Sequence, residues 1–139
     1  KLATWNDIAF ADVRVAIVDA NVTRAVKIPK ASASLAAIFT PNAFVATNLG
    51  RASWLGLMAA PSLQLNCNQE GFSLASQVSV RIGIIGNQEN DCGSPDSWIG
   101  IGGTGAPCNG ALNTSTTGNI ATCAAVDKAT AAFGYVFVR

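Results

Sequence analysis

From Val78 to Ile84 apolar residues alternate with Ser79, Arg81 and Gly83, which sets Val78, Val80, Ile82 and Ile84 on one face of a predicted strand. At Gly86 the run breaks into the most polar stretch of the chain, Asn87-Gln88-Glu89-Asn90-Asp91. Cys92-Gly93-Ser94-Pro95-Asp96 prolong it as a turn-rich loop. Apolar sequence resumes at Trp98-Ile99-Gly100-Ile101, so the stretch reads as strand, acidic loop, strand. A chain punctuated in this way has little room for long helices.

The same grammar recurs elsewhere. Phe10 to Asp19 is strand-like, with Val13, Val15 and Ile17 in alternation, and Asn21 turns the chain toward a short strand from Arg24 to Ile28 that Pro29 stops. Lys30 to Phe39 combines helix-favouring alanines with a Ser/Ala alternation, and the β context favours a strand. Ala43 to Thr47 is a further strand candidate, and Ser53 to Ala60 is apolar enough for burial on both faces. Cys67 to Gly71 reads as a loop, Gly102 to Thr122 as weakly structured, and Ala132 to Val138 as an apolar strand central in a sheet. Short strands separated by turn signals about every ten residues predict an all-β fold: one disulfide-stabilised, jelly-roll-like antiparallel β-sandwich domain over residues 1–139.

Composition bears on partners. Only 12% of the 139 residues are charged, against about a quarter in ordinary globular domains. A skin so poor in charge is covered by Ser, Thr, Asn and Gly or by a partner, and a homo-oligomer or polymer is expected. The formal net charge is +1, and the nine basic residues form no cluster along the sequence, which argues against nucleic acid. No apolar run is long enough to span a bilayer. Lys1 in place of Met predicts a trimmed start, with any export signal already removed.

The chain has no histidine, which excludes imidazole-based zinc and copper sites and Ser-His-Asp or Cys-His catalysis. Its four cysteines, Cys67, Cys92, Cys108 and Cys123, form no CxxC pair. In turn-rich sequence they point to two disulfides and an extracellular or cell-surface location. Four cysteines allow three connectivities; proximity in sequence favours Cys92–Cys108, leaving Cys67–Cys123.

Three of the eight carboxylates, Glu89, Asp91 and Asp96, fall in the acidic loop beside Asn87 and Asn90. These hard oxygens suit calcium, although the spacing is not that of an EF-hand. Glu70, Glu89, Asp91 and Asp96 are near enough in sequence for a two-carboxylate glycosidase, but such pairs are too common in loops to predict catalysis, and no enzyme is expected. Of Trp5, Trp54 and Trp98, the last follows the acidic loop directly and is the best candidate to stack on a sugar ring. Asn21-Val22-Thr23 and Asn113-Thr114-Ser115 match the N-glycosylation pattern.

These features predict a recognition or adhesion module, lectin-like and multimeric. It would bind carbohydrate through Asn87, Glu89, Asn90, Asp91, Asp96 and Trp98, with calcium held by Glu89, Asp91 and Asp96. The alternative is a self-assembling subunit of an extracellular filament, pilus or shell. Its strands would pack edge to edge, with Trp5 to Phe10 as a donor segment.

Overall fold

The computed structural model describes residues 3–105, 116–123 and 127–139. It is an antiparallel β-sandwich. β1 (Val13–Asp19) and β2 (Val22–Ile28) form a hairpin whose turn residues, Ala20 and Asn21, have φ of 51° and 60°. Positive φ at both central positions gives the turn a twist that matches the flanking strands. β9 (Phe133–Val138) pairs with the other side of β1 and completes a three-stranded sheet, β2-β1-β9. The second sheet has six strands in sequence order: β3 (Val45–Ala46), β4 (Asn66–Ala75), β5 (Ser79–Asn87), β6 (Ser97–Gly103), β7 (Thr116–Ala121) and β8 (Lys128–Ala131). It is therefore a meander. The chain crosses from β8 to β9 at Ala132, whose N–H bonds to the Thr117 carbonyl at 2.8 Å.

The main core lies between the sheets. Val13, Val15, Ile17 and Ile28 from the smaller sheet are buried in one cluster with Phe72, Ile82, Ile84 and Ile99 from the larger. A second buried cluster, with Leu74, Val78, Val80, Ile85, Trp98 and Ile120, involves the opposite face of the larger sheet. The strict alternation expected from Val78 to Ile84 is thus divided between two clusters. Ser73 of β4 has φ of 53°, and this kink lets Phe72 and its neighbour Leu74 join different cores.

Glycines align across the larger sheet: Gly71 pairs with Gly83, Gly83 with Gly100, and Gly100 with Gly118. A Cβ at Gly83 would lie 2.3 Å from the Ile99 carbonyl, and one at Gly100 2.3 Å from that of Ile82. Both would also come within 2.8 Å of Val80 Cγ1, so the row has no room for side chains. Close approach of backbone and Val80 is what selects glycine here.

Several sequence expectations are corrected. Within Lys30 to Phe39 the chain forms a turn of helix, α2 (Leu35–Ile38), because the Ser34 hydroxyl accepts the Ala37 N–H at 3.1 Å. That N-cap satisfies a donor a strand would have paired. The Ser53 to Ala60 segment opens within α3 (Arg51–Leu55), where Trp54 is buried and donates its indole N–H to Glu70. Trp5 lies in α1 (Ala3–Asn6) and stacks on Phe39 at 5.8 Å, so this segment is docked and is not an extended donor arm. Cys67 to Gly71, expected as a loop, belongs to β4; its irregular register and the positive φ of Cys67 and Asn68 give a strand sequence the look of a turn.

The predicted disulfides are also corrected: Cys67 bonds to Cys92, with Cα atoms 5.2 Å apart, in place of Cys67–Cys123 and Cys92–Cys108. The cause is the register, since Asn66 pairs with Asn87 and the loop that follows β5 folds back over the start of β4. Closing 25 residues restricts the unfolded chain and contributes about 3 kcal/mol. Cys123 is oxidised as well, while Cys108 and Asn113 lie outside the described residues. Among the described residues no helix is long and apolar enough to cross a membrane.

Candidate functional site: an acidic loop and an aromatic sheet face

The acidic loop is built from within. Asn87, at the end of β5, is fully buried and donates its amide to the carbonyls of Asp91 (2.8 Å) and Ser94 (2.9 Å). Asp91 is exposed, yet one carboxylate oxygen accepts the Gly93 N–H at 2.8 Å and the other the Ser94 hydroxyl at 2.6 Å. The Ser94 hydroxyl, with the Gly93 amide behind it, holds the Asp91 carboxyl below its ordinary range. Asp96 is buried; its N–H bonds to the Gly86 carbonyl and its own carbonyl accepts from Thr122. Desolvation pushes its carboxyl up, against the pull of a Gln88 hydrogen bond, and the charge of Glu89 adds to the rise. Glu89 and Asn90 are exposed at the tip, where Glu89 accepts from Gln88 at 3.2 Å.

The structure therefore brings the six predicted site residues onto one loop and the strand end beside it, but separates their roles. Asn87 and Asp91 hold the loop's shape, and only Glu89, Asn90 and Asp91 face solvent. Trp98 is 1% exposed, packed between Ile85 and Ile120 in the cross-strand row. A Cβ at Gly103 would sit 2.4 Å from its indole. It is a core residue and offers no face to a sugar. Among the described residues no three acidic, cysteine or histidine side chains converge as a metal site. Glu70 is engaged by the Gly50 N–H, the Thr47 hydroxyl and the Trp54 indole. Asn21 is exposed at the tip of the β1–β2 turn.

A different surface collects aromatic side chains in the open. Along β9, Gly134, Val136 and Val138 face the core side, while Phe133, Tyr135 and Phe137 project outward, 75%, 52% and 54% exposed. The Tyr135 and Phe137 rings lie 6.1 Å apart and 24° from parallel. Cross-strand pairing defines the rest of this face. Phe133 lies beside Val18 and Thr23, Tyr135 beside Ala16 and Ala25, and Phe137 beside Arg14 and Lys27. Ala16 is 3% exposed although it points outward, so its neighbours cover it, and Tyr135 is its cross-strand partner. The result is an aromatic column beside a low shelf of small residues.

Sequence reasoning missed this site because β9 is apolar throughout and read as a buried strand. Its signal was the sorting within the alternation, aromatics at 133, 135 and 137 and smaller side chains between them. Among the described residues β9 instead occupies an edge, bonded on one side to β1, which corrects its expected central place. The chain matches no protein-family model, no curated protein and no solved structure.

Proposed function

We propose that the chain is a non-enzymatic carbohydrate-binding module acting outside the cell, and that it holds glycans on the outer face of β9 instead of in the acidic loop. The exposed column of Phe133, Tyr135 and Phe137 carries this reading. Monomeric surfaces rarely leave contiguous aromatic rows in water without a use. Successive outward residues on a strand stand about 6.8 Å apart, and three rings in line can each meet the apolar C–H face of a sugar along an extended chain. Aromatic rings supply large contact area at low entropic cost. The oxidised cysteines support an extracellular setting.

Affinity electrophoresis through gels containing xylan, mixed-linkage β-glucan, hydroxyethyl cellulose or polygalacturonate tests the proposal. The parent chain is expected to be retarded by at least one of them. Tyr135→Ala is expected to weaken that binding about tenfold, the worth of one partly buried ring, with an unchanged melting temperature. Unretarded migration in every gel, or undiminished retardation of Tyr135→Ala, overturns the reading.

The edge position of β9 favours one second reading, a subunit that assembles by strand addition. Light scattering coupled to size-exclusion chromatography decides it, since a monomer at micromolar concentration removes it.

A further inference from the structure

The aromatic column does not end in neutral surface. Arg14, Lys27 and Phe137 occupy one transverse row on the outer face, and Arg139 follows directly after β9. These residues, with Asp12 and Val138, line a recess of about 440 Å³. Asp12 sits among the cations, 3.1 Å from the Lys27 ammonium and 3.6 Å from the Arg139 guanidinium. Asp12 thus pairs with two of the three cations that line the recess. Arg14 is exposed and makes neither an ion pair nor a side-chain hydrogen bond among the described residues. In a chain with only 12% charged residues, such a gathering stands apart from the rest of the surface.

Basic groups scattered along the sequence are brought together here by the strand register alone. The position matters more than the count, because Phe137 belongs both to the aromatic column and to the recess. A ligand lying along the column runs into the cations at its end. Guanidinium groups match a carboxylate with two parallel N–H donors. Asp12 already neutralises part of Lys27 and Arg139, which leaves Arg14 as the unspent donor.

We propose that this end of the face binds the carboxylate of an acidic sugar, a uronic-acid residue in a glycan whose neighbouring rings lie on Phe137 and Tyr135. The assignment rests on reading the aromatic column as a sugar platform and narrows its ligand class. Arg14 supplies the fork, Lys27 and Arg139 the surrounding field, and Asp12 fixes those two side chains.

Polygalacturonate and its methyl ester present one polymer with the charge exposed or masked. The folded parent chain is expected to bind the free acid about tenfold more tightly than the ester, the scale of one charge-assisted hydrogen bond. Arg14→Gln is expected to bring the two affinities together by weakening only the acid arm. Tyr135→Ala is expected to weaken both. Equal parent affinity for acid and ester, or an acid preference that survives Arg14→Gln, overturns the uronate assignment while the sugar platform stands. Tighter binding of dextran sulfate than of polygalacturonate overturns it in favour of undirected charge. Binding to none of these polymers or the neutral ones removes the platform itself.

Discussion

Trp98 on β6 and Tyr135 on β9 both lie in short strands made mostly of apolar residues and glycine, yet their fates are opposite. Trp98 is sealed between Ile85 and Ile120, with Gly103 against its ring, on a sheet buried on both faces. Tyr135 belongs to a sheet with one face against the core and the other in water, on a strand that among the described residues is bonded along one side only. An aromatic residue becomes core when its sheet is covered on both sides and the surrounding rows are emptied by glycine. It becomes surface when such a strand runs along an edge with one covered face. The contrast separates residues that maintain this fold from those free to meet a ligand.

The strongest way to break the contrast is Trp98→Ala. Emptying so large a buried volume is expected to cost about 3–5 kcal/mol in chemical denaturation, and a cost below about 1 kcal/mol would contradict its core role. A smaller effect concerns the strand end that leads to Trp98. Burial raises the Asp96 carboxyl, so the folded chain holds that proton more tightly than the unfolded one. Stability is then expected to fall as pH rises from about 4 through the raised value, because ionised Asp96 is disfavoured in place. Asp96→Asn should flatten that decline in melting temperature, and a parallel decline in the variant would remove burial as its cause. The smallest effect is expected at the other pole. Tyr135→Ser should change stability by no more than about 0.5 kcal/mol, and a loss comparable to that of Trp98→Ala would erase the distinction between the two residues.

Much of the β-architecture was legible in the residues. β1 and β5 follow from period-two alternation, and β2, β6 and β9 from short apolar runs and the turn residues that bound them. The failures have local causes. Ser34 turned an alanine-rich alternation into a capped helix, and β4 hid behind polar residues and left-handed conformations at Cys67 and Asn68. The acidic loop drew attention because its side chains are polar, but much of that polarity is consumed by its own backbone, as Asn87 and Asp91 show. The aromatic face stayed hidden because edge position is a property of sheet order, which no single strand encodes. The grouping of Arg14, Lys27 and Arg139 needs the β1–β2 and β1–β9 registers, and the Cys67–Cys92 bond needs that of β4 and β5.

The pairing of Val13 with Val138 carries a kinetic consequence. The larger sheet grows strand by strand from sequence neighbours, so its contacts can form as the chain leaves the ribosome. The β1–β2 hairpin has no such neighbour, and an isolated hairpin is marginal in water. It must wait for the segment after Ala132, and closing so long a span is slow. Docking of β9 onto β1 is therefore expected to be the slow step of refolding, with the outward aromatic face completed late.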